Sequence, residues 1–173
     1  YDGQTKCIKK LLEAFEQKTR WTPVYDKGNL ISLTNQGSAI TLEPGGQLEI
    51  SASAHTGIHE SCVELLFLID VFDKIGQEQG LFYARTGVPP VTTLDTAQWV
   101  PKSRYETMRS FHQSDQAFLE MMTVSASVQI NFDYSSEQDC AQKMLVSSKI
   151  SPILGALYAN SFYEDKKING YQS

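Results

Sequence analysis

The stretch Ala39-Ile40-Thr41-Leu42-Glu43-Pro44-Gly45-Gly46-Gln47-Leu48-Glu49-Ile50-Ser51 joins two β-prone segments through a run of turn residues. As one straight strand it would hold Glu43 and Glu49 roughly 20 Å apart. Pro44-Gly45-Gly46 favours a bend instead. If Gly45-Gly46-Gln47 forms the connection, Glu43 lies directly opposite Glu49, with the Cβ atoms about 5 Å apart on one face. The sequence therefore predicts a β-hairpin that carries two neighbouring carboxylates.

The two glutamates of this hairpin have two interpretations. Like charges at such a distance repel each other, and a divalent cation would turn that repulsion into a binding site. Carboxylate oxygens suit Mg²⁺ together with the phosphates of a substrate. Charged side chains on exposed strands are also common, so the alternative is a solvated hairpin with two surface glutamates. The spacing alone leaves both interpretations open.

The segments on either side of the hairpin predict an α+β fold. Apolar residues three and four apart between Gln4 and Lys18 predict an amphipathic helix, and β-prone runs from Thr22 to Ala52 predict an antiparallel meander. A long helix is predicted from N-cap candidates at Ser53–Thr56 to about Gly76. Its predicted apolar stripe comprises Ile58, Cys62, Leu65, Leu66, Ile69, Phe72 and Ile75.

Further elements are predicted downstream of this helix. The strands are Leu81–Ala84 and Ser125–Phe132, and the helices are Ser103–Phe111, Asp115–Met122 and a helical region from Ser135 to about Asn160 with a break at Pro152. A long loop rich in Thr and Pro, from Thr86 to Pro101, separates them. Strands and helices in this order are typical of α+β folds rather than of alternating parallel units.

Length, charge and hydropathy restrict the kind of protein. The 173 residues predict a single domain, and the balance of 15 basic against 20 acidic residues gives a net charge of −5. No cluster of lysine or arginine exceeds a pair, which argues against nucleic acid as a partner. The apolar run Val63–Ile69 is far shorter than the roughly 20 residues of a membrane span. We therefore expect small molecules or proteins as partners.

The cysteines predict a reducing environment. Cys7, Cys62 and Cys140 are odd in number and form no Cys-x-x-Cys pair, which argues against a disulfide framework and a structural zinc site. Each lies in a stretch predicted to be helical, so we expect buried or structural thiols rather than a nucleophile. A cytoplasmic location is the simplest prediction. The chain starts at Tyr1 without Met or a targeting motif, as an internal portion of a longer product would.

Two other segments carry candidate site residues. Gln129 and Asn131 share the polar face of the predicted strand Ser125–Phe132, where their amides could contact a cation or a phosphate, or simply water. Lys102 and Arg104 begin the helix after the long loop and favour an anion site, unless Arg104 pairs with a surface carboxylate. The two histidines four residues apart lack the glutamate of a zincin helix and are predicted to be capping or surface residues: His55 and His59.

Together these motifs resemble glutamate-cysteine ligase of the plant and proteobacterial type. The resemblance rests on Leu42–Ser51, Pro101–Tyr105 with Met108-Arg109, Val128–Asp133 with Ser135-Ser136-Glu137, Ala159-Asn160-Ser161 and Asn169-Gly170-Tyr171. It implies the glutamine synthetase superfamily, with a curved antiparallel sheet, helices packed on one face, and carboxylates that hold divalent metals around ATP and glutamate.

The resemblance also implies roles for individual residues. Glu43 and Glu49 become ligands of Mg²⁺, Gln129 and Asn131 become metal or nucleotide contacts, and Arg104 becomes the contact to glutamate. The implied reaction is ATP-dependent ligation of the γ-carboxylate of glutamate to cysteine through γ-glutamyl phosphate. A γ-glutamyl ligase for another amine, and a non-catalytic nucleotide- or partner-binding domain with an incomplete metal site, stay open as alternatives.

The resemblance further implies that the chain is a portion of a larger catalytic domain. Members of the family are roughly two to three times longer than the single domain that this length predicts. A first carboxylate strand would precede the matched portion, and further arginines would follow it. We therefore expect the 173-residue chain alone to be inactive and to expose a sheet edge through which it could self-associate.

Overall fold

A computed structural model describes residues 7–161, 163–164 and 167–168. The chain divides into two compact units, one of Tyr1–Ala84 with Leu94–Val124 and the other of Arg85–Thr93 with Ser125–Ser173. Residues 4–6 of the predicted first helix and the motif Asn169-Gly170-Tyr171 lie outside the described residues.

The first unit combines helices with one antiparallel sheet. Its elements are α1 (Ile8–Thr19), β1 (Thr22–Asp26), β2 (Asn29–Asn35), β3 (Ser38–Leu42), β4 (Leu48–Ser51), α2 (Ile58–Glu78), α3 (Ser103–Phe111) and α4 (Gln116–Thr123). The strands pair in the order β1-β2-β3-β4, each antiparallel to the next. The predicted meander and the α+β class are confirmed.

Two tight turns set the register of the first three strands. Asp26 pairs with Asn29, and Asn35 pairs with Ser38, so each turn has two central residues. All four central residues have positive φ, and glycine is the second of each pair: Lys27 (49°), Gly28 (81°), Gln36 (47°) and Gly37 (94°). This backbone matches the right-handed twist of a hairpin.

The sheet has one apolar and one polar face, because side chains alternate along each strand. Leu33, Ile40 and Leu42 share the apolar face and are fully buried. They form one core with side chains of α1 and α2, where the rings of Phe15 and Phe72 lie 4.0 Å apart between centroids. Burial of each such side chain stabilises the fold by about 1.5–3 kcal/mol. The opposite face is left for polar groups.

Helix α2 differs from its prediction at its start and on its outer surface. Its N-cap is Gly57, which lacks a side-chain capping bond, rather than one of the residues 53–56. Phe72 and Ile75 are buried as predicted, but Ile58 and Leu66 are exposed, and Leu68 is buried instead. The apolar stripe was predicted incorrectly there because apolar residues of α2 lie on more than one face of the helix.

The predicted strand Leu81–Ala84 is wrong, since this segment is irregular. Its polar groups serve the end of α2 instead of a sheet. The Leu81 N–H donates to the Gly76 carbonyl at 2.8 Å, and the Tyr83 hydroxyl donates to the Phe72 carbonyl at 3.2 Å. The segment therefore caps and covers the helix that precedes it.

The second unit consists of α5 (Glu137–Leu157) and a short hairpin of β5 (Tyr163–Glu164) and β6 (Lys167–Ile168). The Ser136 hydroxyl caps α5 by accepting from the Asp139 N–H at 3.2 Å. A break at Pro152 was predicted, but the helix is continuous through this proline. Proline has no backbone N–H, so one hydrogen bond of the helix is lost. The other backbone hydrogen bonds of α5 maintain the helix on both sides of Pro152.

The predicted strand Ser125–Phe132 is also wrong, because this segment has no regular structure. A strand needs a neighbour, and the strands described in this unit pair with each other. The Ala126 N–H donates to the Gly87 carbonyl at 2.8 Å, and no ladder develops beyond it.

Hydropathy and cysteine placement complete the description. In the portion that the structure covers, no helix has the length and apolar character needed to cross a bilayer. All three cysteines are free thiols. Cys7 and Cys140 are half-buried, whereas Cys62 is exposed on α2, contrary to the predicted burial.

Candidate metal and anion site

The hairpin between β3 and β4 turns through Pro44-Gly45-Gly46, one residue earlier than predicted. The Gly46 N–H and the Gln47 carbonyl both bond to the backbone of Glu43, each at 2.9 Å. Gly46 has a φ of 85°, the left-handed conformation that closes a three-residue hairpin loop. Glycine adopts this conformation without the steric cost of a Cβ atom.

The observed register changes the relation between the two glutamates. Thr41 pairs with Glu49, and Leu42 pairs with Leu48, so Glu43 lies opposite Gln47 and not opposite Glu49. The predicted direct pairing is therefore wrong. Glu43 and Glu49 are diagonal neighbours on the polar face of the sheet, which long side chains can bridge. The prediction that both share one face is confirmed.

The carboxyl groups of Glu43 and Glu49 interact strongly. The pKa of Glu43 is raised by partial burial first, and then by a hydrogen bond with Glu49 and the negative charge of Glu49. Glu49 is exposed and accepts from the Thr41 hydroxyl at 3.3 Å and the Ser51 hydroxyl at 3.0 Å. Glu43 therefore keeps its proton more readily than an isolated glutamate does.

The tip of the hairpin is fixed from both sides. The Gln47 side chain accepts from the Gly45 N–H at 2.9 Å and donates to the Met122 carbonyl at 3.1 Å. A Cβ atom on Gly45 would lie 2.0 Å from the Thr123 carbonyl oxygen, so only glycine fits against this end of α4. These contacts hold Glu43, at the base of the tip, in one position.

Two cationic side chains lie beside this carboxylate pair. Lys102 precedes α3 and Arg104 is in its first turn, and the positive charge of each lowers the pKa of Glu43. Burial, and then the charge of Arg104, lower the pKa of Lys102. Among the described residues, neither cation forms an ion pair with a carboxylate. Their charges are thus available to an anion.

At the N-terminus of α3, the backbone and side chain of Ser103 bind a carboxylate of the same chain. The Ser103 N–H donates to Asp26 Oδ2 at 2.6 Å, and the Ser103 hydroxyl donates to Asp26 Oδ1 at 2.8 Å. These bonds lower the pKa of Asp26. They also place a negative charge at the positive end of the helix dipole. The anion contact expected of Lys102 and Arg104 therefore rests on their side chains and stays a prediction.

Gln129 and Asn131 belong to the second unit and lie in the irregular, exposed segment that follows residue 124. The Gln129 amide donates to the Ser127 hydroxyl at 3.2 Å. Because the predicted strand is absent there, the predicted sheet face for these two amides is wrong. Their role toward a metal or nucleotide stays a prediction.

The donor set of the hairpin suits magnesium bound together with substrate. The described ranges contain no group of three or more His, Cys, Asp or Glu that could hold a metal ion. Mg²⁺ usually takes one or two carboxylates and completes its octahedron with water and substrate phosphates. Glu43 and Glu49, whose mutual repulsion a cation would relieve, fit that requirement.

A second polar cluster fastens α2 to the sheet. Glu64 accepts from the Ser38 hydroxyl, from the Ser53 N–H at 3.2 Å and from the Ser53 hydroxyl at 2.6 Å. The His55 ring lies 2.5 Å from the same carboxylate, so it pairs with Glu64, whereas His59 is exposed. These hydrogen bonds, from Ser38 first, lower the pKa of Glu64 to about 2.

Glu64→Gln is expected to lower the free energy of unfolding by about 1–2 kcal/mol at pH 7, since the side chain is 20% exposed and water screens part of the interaction. A lowered pKa contributes stability above the unfolded pKa and loses it as the pH falls through about 2. The difference from wild type should therefore shrink below pH 4.5, the ordinary pKa. Urea unfolding at several pH values measures it.

The control for this variant is Glu106→Gln on α3, which breaks an exposed ion pair with Lys27 and should change stability by less than about 0.5 kcal/mol. Equal effects of the two substitutions, or a Glu64→Gln effect independent of pH, would contradict the role of Glu64.

Comparison with known proteins places the chain in a family. The family model described as glutamate-cysteine ligase family 2 (GCS2) matches residues 4–173. Glutamate-cysteine ligase A, chloroplastic, of Oryza sativa subsp. japonica is 33% identical over 167 residues, covering 96% of the chain and 34% of the relative. The chloroplastic glutamate-cysteine ligase of Nicotiana tabacum is 34% identical over 167 residues, with 96% and 32% covered. The chain thus spans about a third of the length of these curated relatives.

These names contradict the cytoplasmic location predicted from the cysteines. Both relatives are named as chloroplastic enzymes. Free cysteines are compatible with any compartment that keeps thiols reduced, so cysteine spacing could not identify the compartment. The resemblance read from the motifs is confirmed: the chain belongs to glutamate-cysteine ligase family 2.

Proposed function

We propose that the protein containing this chain joins the γ-carboxylate of glutamate to the amine of cysteine at the expense of ATP. One observation carries the proposal. A carboxylate pair, Glu43 and Glu49, lies beside two cations, Lys102 and Arg104, that pair with no described carboxylate. Such a site can receive both a cation and an anionic substrate. Family membership supports the same activity.

The side chains would act by binding and by neutralising charge. Glu43 and Glu49 would hold Mg²⁺, which when bound screens the negative charge of the phosphates against an approaching carboxylate. Arg104 would bind a carboxylate of glutamate through its planar fork of donors. Gln129 and Asn131 would contribute amide contacts to metal or nucleotide.

The proposed reaction proceeds in two transfers. An oxygen of the γ-carboxylate attacks the γ-phosphorus of ATP, and ADP leaves. The cysteine amine then attacks the acyl carbon of γ-glutamyl phosphate, phosphate leaves, and the amine loses a proton. This chemistry needs positioned charges rather than a nucleophilic side chain, which agrees with the carboxylates and cations at the site.

We also propose that residues 1–173 are part of one larger catalytic domain. The single family model that runs through residues 4–173 supports this, as does the threefold greater length of the relatives. The remaining metal and substrate contacts would then come from other parts of the polypeptide.

The proposal is tested with the full-length protein. Incubation with ATP, Mg²⁺, glutamate and cysteine should release phosphate and yield γ-glutamylcysteine in equal amounts, measured by a phosphate assay and mass spectrometry. Omission of glutamate should abolish phosphate release. Product from another amine, but none from cysteine, would identify a different γ-glutamyl ligase. Nucleotide binding without any product would contradict the enzymatic proposal.

A further inference from the structure

Among the described residues, Tyr105 has the largest side chain that is fully buried, and it lies near the carboxylate pair. It is only 1% exposed, although its neighbours Arg104 and Glu106 on α3 are exposed. Its hydroxyl donates to the Leu42 carbonyl at 2.7 Å and accepts from Arg104 Nη2 at 3.3 Å. Lys102 Nζ reaches the same hydroxyl at 3.5 Å. One oxygen atom thus contacts both the sheet and the two cations.

The position of Leu42 gives this contact its importance. Leu42 is the last residue of β3, directly before Glu43, so the Tyr105 hydroxyl bonds to the backbone that carries the metal-binding carboxylate of the proposed function. This bond spans 63 residues of sequence and joins α3 to the hairpin. Any shift of the phenol would move Glu43 relative to the cations.

The ring of Tyr105 holds the two cations as well. Lys102 Nζ lies 4.9 Å from the ring centroid, and Arg104 Cζ lies 5.0 Å from it. Two like charges so close together repel, and the ring face and the hydroxyl lone pairs offset part of that repulsion. Donation to Leu42 also polarises the hydroxyl oxygen, which makes it a better acceptor for Arg104.

We propose that Tyr105 is a positioning residue that sets the distance between the Glu43–Glu49 carboxylates and the Lys102–Arg104 cations. The inference rests on the proposed function, in which an anionic amino acid meets the cations while its reacting carboxylate meets a phosphate held at the hairpin. These two anchors must be correctly spaced for in-line attack, and an error of about 1 Å can cost about 100-fold in rate. Tyr105 does not touch the substrate in this role.

The test compares Tyr105→Phe with Tyr83→Phe in the full-length protein. Each substitution removes a hydroxyl that donates to a backbone carbonyl. The Tyr105 hydroxyl donates to Leu42 at the hairpin, whereas the Tyr83 hydroxyl donates to Phe72 on α2. Tyr105→Phe should lower kcat/KM for glutamate about 10- to 100-fold and raise the Mg²⁺ concentration at half-maximal rate, with KM for cysteine unchanged. Tyr83→Phe should change none of these, although both variants lose a similar amount of thermal stability.

A second variant tests the cations separately, without removing the buried Tyr105 hydroxyl. Lys102→Met removes one cation but leaves the bond from Tyr105 to Leu42. It should raise KM for glutamate several-fold, with little change in the Mg²⁺ requirement. An unchanged KM for glutamate would overturn the role assigned to the cations.

The outcomes distinguish this inference from the proposed function. If wild type forms γ-glutamylcysteine and Tyr105→Phe behaves like Tyr83→Phe, the positioning role is wrong and the function stands. If Tyr105→Phe changes kcat but neither KM for glutamate nor the Mg²⁺ requirement, the residue acts through general stability, and the inference is overturned. If wild type forms no product, the proposed function itself fails.

Discussion

Glu43→Gln in the full-length protein is expected to reduce kcat about 100-fold and to raise the Mg²⁺ concentration needed for half-maximal rate. Glutamine keeps the size of the side chain and can donate a hydrogen bond to Glu49, but it removes the charge. The substitution also relieves the repulsion from Glu49, so the fold should be retained. Steady-state rates at increasing Mg²⁺ concentrations measure both effects.

The pH dependence adds an independent readout. Burial and Glu49 raise the pKa of Glu43, so this carboxyl stays protonated at a higher pH than an ordinary glutamate. A metal ion must displace that proton, and the Mg²⁺ requirement of wild type should therefore fall as the pH rises through the raised pKa. Glu43→Gln should lose this dependence.

The control is Glu106→Gln, which removes the same charge from an exposed position on α3. It should leave both the rate and the Mg²⁺ requirement unchanged. If Glu43→Gln behaves like Glu106→Gln, Glu43 is a solvated surface residue and the metal-binding proposal fails.

The hairpin shows how far the sequence could lead. Pro44-Gly45-Gly46 correctly predicted the bend. The predicted and the observed loops both have three residues, so side-chain alternation places Glu43 and Glu49 on the same face in either case. The predicted loop was one residue too late in the chain. In a three-residue loop, the residue with a left-handed backbone conformation is the last of the three. Gly46, with its φ of 85°, occupies that place, and this preference was the signal that would have selected the observed loop.

The contacts around α3 could not be predicted because they join distant parts of the chain. Asp26 and Ser103 are 77 residues apart, and Leu42 and Tyr105 are 63 apart. Periodicity describes one element at a time and contains no information on which side chain meets the end of another helix. Arg104 is predicted as an anion contact from its place at the start of the helix, whereas periodicity assigns no role to Tyr105.

The segment Ser125–Phe132 shows a limit of a different kind. Its alternation of polar and apolar residues is typical of a strand, and yet Val128, Ile130 and Phe132 are 89%, 70% and 70% exposed. Alternation indicates that a chain can pair, but a ladder forms only where another strand is available. The alternation alone was therefore not enough to predict a strand, because no described strand pairs with this segment.

A polypeptide limited to residues 1–173 is expected to form no γ-glutamylcysteine, whereas the full-length protein should. The described residues offer two glutamates on one face of the sheet and no group of three metal-binding side chains. Phosphoryl transfer depends on all charge-neutralising contacts acting together, so a partial site loses most of its rate enhancement. Phosphate release with ATP, Mg²⁺, glutamate and cysteine is the measurement, and turnover comparable with the full-length protein would contradict the expectation.

The same polypeptide is expected to self-associate through β1. This strand pairs only with β2 among the described strands, so its outer edge presents unpaired backbone groups, and Val24 and Tyr25 on it are exposed. Val24→Lys should shift the population toward monomer in sedimentation experiments, because a charge on an edge strand opposes pairing with a second copy. Val63→Lys, which places the same charge on the exposed surface of α2, is the matched control. If Val63→Lys dissociates the assembly and Val24→Lys does not, the copies meet through α2 rather than through the sheet edge.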